Sequence, residues 1–303
     1  MIQNKTLKKL TVYTLATLMV GTGQLALAHT GVKDRPVEGT AGYTAFTVGH
    51  GCTTNAAAEG SAEAAALVPQ NVIAVSAVFP NSADPQDAVI YKLDAAGLQT
   101  TTLPDLSNDI DGVTAGVGFT GLGVGLIAGG GTLFPNFIPA INPTTKAIRG
   151  FHTWSGPSPY KGADLQESPV SMTGLVPFRY GAIKFKSTSC AKSLKIRIAV
   201  ANWCKRGTAS KKDADRVDVW MGHTTAKFTD QLTMPRNLPY DATKEVPFWP
   251  TLTLTRTSAL PATCTATNSY DLSIEPADAD IDKYLPIPAG KFPAGAPGTP
   301  FYN

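Results

Sequence analysis

Between Leu194 and Val200 the chain alternates without a break: Leu194, Ile196, Ile198 and Val200 fall on one side, Lys195, Arg197 and Ala199 on the other. A period of two is the signature of a strand with one buried face, because successive side chains of an extended backbone point in opposite directions. Ile183 to Lys186 repeats the pattern on a smaller scale, with Ile183 and Phe185 set against Lys184 and Lys186, and Tyr43 to Val48 alternates as well. Val72 to Phe79, Val217 to Met221 and Leu252 to Thr255 are further short runs of strand-forming residues. Only 16% of the residues are charged, and Thr, Ala, Gly and Val are abundant, which suits strands and turns better than amphipathic helices. Short strands separated by Gly, Pro and Asn clusters predict an all-β fold, an immunoglobulin-like antiparallel β-sandwich with long loop insertions. One helix is expected, in the Ala- and Glu-rich stretch from Ala56 to Leu67.

Two segments stand apart. From Ala115 to Gly131 the chain becomes apolar and Gly-rich, through Gly121-Leu122-Gly123-Val124-Gly125-Leu126 to Gly129-Gly130-Gly131. It has neither the acidic partner of a dinucleotide fold nor a Gly-Lys-Ser/Thr phosphate loop, so it reads as part of an insertion near residues 112–150. Pro286 to Pro300 alternates Pro, Gly and Ala, the composition of an extended tail over 286–303.

The first residues constrain the compartment. Lys5, Lys8 and Lys9 precede an apolar run from Leu10 to Val20, and Ala26-Leu27-Ala28 matches the small-residue pattern of a signal-peptidase site. Residues 1–28 read as an export signal, too short and too interrupted by Thr and Gly for a membrane anchor. Cleavage leaves 275 of the 303 residues, a sandwich domain over 29–285 and the tail, with no second apolar run long enough to span a bilayer. The formal charge of +3 resides in the three signal lysines, so the exported form is near neutral and offers no electrostatic case for nucleic acid or an anionic membrane. A periplasmic, cell-surface or extracellular location follows. In such compartments thiols oxidise, and Cys52, Cys190, Cys204 and Cys264 are expected to form two disulfides whose pairing the spacing leaves open.

Cleavage after Ala28 would make His29 the first residue. A free amine and the Nδ1 of the same residue form a chelate suited to copper by ligand type and geometry. Further ligands would come from His50, His152 or His223, the other histidines of the chain, each of which also fits an ordinary packing or turn role. Glu38, beside Pro36 and Gly39, fits a solvated turn as well as a ligand role. Asp278-Ala279-Asp280-Ile281-Asp282 lacks the turn glycine and distal Glu of a calcium loop. No Ser-His-Asp order, carboxylate pair or His-Glu-x-x-His motif marks the chain as a hydrolase, and it is read as a non-enzyme.

The stretch from His29 through Glu38-Gly-Thr-Ala-Gly-Tyr-Thr-Ala-Phe-Thr-Val-Gly-His50-Gly-Cys52 resembles the start of the YcnI-like family of exported copper-binding proteins. Phe151-His152-Thr153-Trp154-Ser155-Gly156 is similar to that family's Trp-Ser-Gly segment, and Trp203-Cys204 falls where members place a second cysteine. The resemblance implies copper, as Cu(II) or Cu(I), held by the His29 amine and ring, with Glu38 in the plane and Trp154 packed beside the metal. It also implies disulfides Cys52–Cys204 and Cys190–Cys264, and a copper chaperone or membrane copper transporter as partner. A weaker resemblance, carried by His152 and Trp154, is to the copper-repressible surface proteins of methane-oxidising bacteria. The function expected is sequestration or delivery of copper. Two alternatives remain: a copper-dependent oxidative enzyme using two histidines, and a surface-associated structural protein without metal.

Overall fold

The computed structural model describes residues 30–48, 72, 74–95, 97, 99–122, 125–126, 134, 136–154, 174–205, 216–222, 225–228 and 249–287. In chain order its strands are β1 (Gly31–Val32), β2 (Gly42–Val48), β3 (Ala74–Val78), β4 (Ala88–Leu93), β5 (Gln99–Leu103), β6 (Gly125–Leu126) and β7 (Asn136–Ile141). These are followed by β8 (Ile148–Trp154), β9 (Gly174–Tyr180), β10 (Ala191–Arg197), β11 (Ala199–Lys205), β12 (Arg216–Trp220), β13 (Thr251–Thr255) and β14 (Tyr270–Pro276), and one α-helix, α1 (Asp278–Tyr284). They assemble into three sheets: β1-β2-β9-β6, β13-β10-β14-β4-β5 and β12-β11-β3-β8-β7.

The fold is an all-β sandwich. A single apolar core joins the three sheets, with Phe46 and Phe178 from the first, Leu194 and Ile274 from the second, and Val75 and Phe151 from the third in one cluster. Its centre is aromatic: the rings of Phe46 and Phe178 lie 4.7 Å apart and those of Phe79 and Phe178 5.4 Å apart, edge to face. The sandwich is mixed, because β10 and β14 run parallel within sheets that are otherwise antiparallel.

The long alternation from Leu194 to Val200 is two strands. The chain leaves the second sheet after Arg197 and enters the third at Ala199, turning at Ile198, whose N–H donates to the Pro250 carbonyl at 2.9 Å. Leu194, Ile196, Ile198 and Val200 all face the shared core, so the period survives a change of sheet at this corner of the sandwich. The opposite side is not the solvated face that the pattern predicts. Arg197 is buried, its Nη1 3.3 Å from a Glu275 oxygen and its guanidinium over the Trp249 ring, while Ala199 belongs to a second apolar cluster.

That second cluster lies on the outer face of the third sheet. Ala74, Val78, Ala201, Trp203 and Val219 meet Ile281 and Tyr284 of α1, with Leu285 and Ile287 beyond it. The acidic run at 278–282 is therefore helical, and two of its aspartates have specific partners. Asp280 pairs with the fully buried Arg149, which also reaches an Asp87 oxygen at 3.1 Å; Asp282 accepts from Thr225 Oγ1 and from the Lys227 N–H. Periodicity missed α1 because seven residues give only two apolar inward positions, Ile281 and Tyr284, the third buried residue being the charged Asp280. Pro286 and Ile287 are buried, so ordered packing continues two residues past the expected start of the tail.

Ile183 to Lys186 keeps its burial alternation without becoming a strand: Ile183 and Phe185 are buried, and only Phe185 makes a bridge, to Ile110. Of the Gly-rich region, Gly125–Leu126 pairs with β9. The helix expected over 56–67, most of the 286–303 tail and the 1–28 leader lie outside the described residues. Cys190 and Cys264 form a disulfide. Cys204 lies in β11 by its backbone, and Cys52 is outside the described residues.

Candidate metal centre

His29, His50 and His223 lie outside the described residues, but Thr30 and Gly222, the covalent neighbours of His29 and His223, and Val48, two residues before His50, do not. Thr30 is buried, and its Oγ1 accepts a 2.7 Å hydrogen bond from Asn202 Nδ2 of β11. One residue later the Gly31 N–H donates to Thr47 Oγ1, and β1 pairs with β2 through Gly31↔Thr47 and Val32↔Phe46. The start of the sandwich is thus pinned to both the first and the third sheet. Continuing that register sets Thr30 beside Val48, at the same end of the strand pair. His29 is one covalent step from Thr30 and His50 two from Val48.

Glu38 stands at the other end of β2. Past Gly42 the chain turns through Gly39, whose N–H donates to the Ile183 carbonyl, so Glu38 is separated from Thr30 by the length of β2, roughly 20 Å at the usual rise per residue. Its carboxylate is already engaged. Oε1 accepts from the Phe185 N–H and Ser258 Oγ, and Oε2 from the Thr257 and Ser258 N–H groups and Thr257 Oγ1. Burial alone would raise its pKa, but the amides of Ser258, Thr257 and Phe185 and the Ser258 hydroxyl favour the charged form and hold it down at about 2. In this structure Glu38 is a clasp between loops, not a neighbour of Thr30.

His152 and Trp154 are two apart on β8 and share a face of the third sheet. It is the face covered by α1, since His152 sits opposite Ser76 in register and Ser76 accepts from Trp203 Nε1 of the second cluster at 2.8 Å. Asn202, which holds Thr30, pairs with Val75 and so faces the main core on the other side. The sheet itself separates His152 and Trp154 from the Thr30 anchor.

His152 is buried, and among the described residues its Nδ1 has no hydrogen-bond partner. Burial pushes its pKa down to about 4, because an imidazolium there would lose its hydration. The unfolded chain takes up a proton near 6.5 while the folded one resists until about 4, so stability is full above pH 6.5 and falls as pH drops through that window. The expected loss is about 3 kcal/mol from the two and a half units between those values. His152→Leu should flatten this part of the curve, and denaturant melts of both proteins at pH 7 and pH 4 provide the check. Equal pH sensitivity would show that His152 is not the group responsible.

Asn202 and a second buried polar set escaped the sequence reading. Asp109 Oδ1 accepts from Ser189 Oγ and, at 2.7 Å, from the Tyr270 hydroxyl, whose pKa burial and the adjacent carboxylate push up to about 12. Only the oddity of an Asn amid Ala201 and Trp203 in an apolar strand signalled the first; nothing in the spacing of 109, 189 and 270 signalled the second. Among the described residues no three of His, Cys, Asp and Glu come together as a ligand set, and no helix is long and apolar enough to cross a membrane. The chain matches no protein-family model, no curated protein and no solved structure.

Proposed function

We propose that this is an exported copper-binding protein of the YcnI-like kind, holding the ion through the amine and imidazole of His29 after removal of residues 1–28. The observation that carries this reading is the anchoring of Thr30. The Asn202 hydrogen bond and the β1–β2 pairing fix the residue next to the proposed chelate, which lowers the entropy lost on binding. The Cys190–Cys264 disulfide agrees with export to an oxidising compartment, periplasmic or at the cell surface.

The ligand set is revised by position. Glu38 lies at the far end of β2 with its oxygens occupied, and Trp154 faces α1, so neither belongs to the proposed centre. His50 takes their place as the nearest candidate, two residues beyond Val48 at the end of the strand pair that Thr30 also occupies. Cargo copper would then pass to or from a chaperone or a membrane transporter. A second reading follows from the same register: two histidines and an amine are the ligands of copper sites that activate oxygen, which would make the protein an oxidative enzyme.

Copper(II) titration followed by electron paramagnetic resonance, on protein beginning at His29 and on protein carrying one extra N-terminal residue, tests the proposal. One tight equivalent is expected, weakened at least a hundredfold by the extension. His50→Gln should change the spectrum without abolishing binding, and ascorbate-driven peroxide formation above that of free copper would favour the enzyme. Equal affinity of the two forms would move the site to internal residues, and absence of binding would leave a structural surface protein.

A further inference from the structure

A cleft of about 410 Å³ opens between the loop that joins β9 to β10, the turn at Asp111 and the segment after β13. Its floor is Phe185, and Lys184, Lys186 and Arg256 bring three positive charges to a rim that carries one carboxylate, Asp111. That carboxylate accepts the Gly112 N–H at 3.1 Å. The hydroxyl groups of Ser187, Thr188 and Ser258 complete the lining.

Two buttresses make the cleft rigid. Arg256 spends its guanidinium on the frame: Nη1 donates to the Ser189 and Ala191 carbonyls, Nη2 to those of Lys186 and Ala259, and Nε to Ser258. The Glu38 clasp ties Phe185 to Thr257 and Ser258 from behind. The charge of Arg256 remains while its donors are used, so it contributes potential rather than direct contacts. Lys186 Nζ donates to the Ser107 carbonyl. Lys184 Nζ and the hydroxyls of Ser187 and Thr188 have no partner among the described residues, and all three can donate. The frame is preorganised, and the lining sets three cations against Asp111 and, behind Ser258, Glu38, with spare donors of the kind a tetrahedral or carboxylate oxyanion requires.

We propose that this cleft binds an oxyanion, sulfate, phosphate or carboxylate, either as a free ion or as a substituent on a saccharide, with Lys184, Ser187 and Thr188 making the contacts. The site is independent of copper and lies at the Glu38 end of the sandwich. Calorimetric titration of the metal-free chain at fixed ionic strength tests it, with sodium sulfate, sodium phosphate and a sulfated disaccharide as probes. Saturable binding is expected, weakened at least tenfold by Lys184→Met and by the Ser187→Ala/Thr188→Val pair, and unchanged by Lys33→Met, whose ammonium pairs with Asp34 elsewhere. Tighter binding of the disaccharide than of sulfate identifies the saccharide as the source; equal affinity identifies the free ion. Absence of saturable binding by every probe, or binding that Lys33→Met weakens as much as Lys184→Met, overturns the proposal. Circular dichroism of each variant guards against loss of fold.

Discussion

Gly150→Ala is expected to cost at least about 4 kcal/mol, the range in which a backbone clash rather than a lost contact sets the penalty, and to leave little folded protein. A Cβ at Gly150 would sit 1.8 Å from the Ala77 carbonyl oxygen and 2.9 Å from its carbon, both backbone atoms of β3. A side chain in the way can rotate, but a carbonyl held in a central strand can move only with its strand. Displacing β3 from β8 would disturb both apolar clusters together, since Val75 and Ala77 feed the main core while Ala74 and Val78 lie under α1. It would also shift Arg149, which is fully buried and whose carbonyl takes the Phe79 N–H at 2.8 Å. Gly97→Ala makes the informative control. Gly97 has φ of 80° and open space around it, so its cost is that of a left-handed alanine alone, about 1 kcal/mol. Urea denaturation of the two variants measures both values, and a Gly150→Ala protein within 1 kcal/mol of the parent would show that the two strands separate easily.

The difference between these glycines bears on what a sequence discloses. Alternation placed β2, and short runs of strand-forming residues placed β3, β12 and β13, each within a residue or two, because burial periodicity and strand propensity are both local properties. The same rule ran through Ile198 without registering a change of sheet, since the residues on both sides of the corner face one core. Arg197 illustrates the limit from the other direction. A cation at an outward position reads as solvated, yet Glu275 and Trp249, remote in sequence, bury it. Residues that act over long separations were illegible for that reason. Glu38 takes hydrogen bonds from residues 147 to 220 positions away, and Thr30 from a partner 172 away. A motif such as His-Gly-Cys can nominate His50, but only the pairing of β1 with β2 sets the ends of those two strands side by side, and only the faces of β8 separate His152 and Trp154 from them.

Breaking the disulfide is the other change with a large expected effect. Cys190 and Cys264 are 74 positions apart, and the chain-entropy model assigns the closing of a loop of that size about 4 kcal/mol, by restricting the unfolded chain. The Cys190→Ser/Cys264→Ser pair should lower stability by about that amount, within the range of about 2 to 5 kcal/mol seen for native bridges. The bridge also has a local consequence. Cys264 follows the segment whose Thr257 and Ser258 amides hold Glu38, and Cys190 precedes β10, whose first carbonyl, at Ala191, receives Arg256. Tyr270 is tied to the same place, its N–H facing the Cys190 carbonyl and its hydroxyl on Asp109. Without the covalent link the hydrogen bonds of Glu38 and Arg256 carry most of the tie between residues 256–259 and the rest of the sandwich. Hydrogen exchange at the Thr257 and Ser258 amides should therefore accelerate more than exchange in β3, beyond the shift due to global stability. Uniform acceleration would mean that the bridge acts only through the unfolded chain, and protection equal to the parent's would show that the Glu38 clasp suffices.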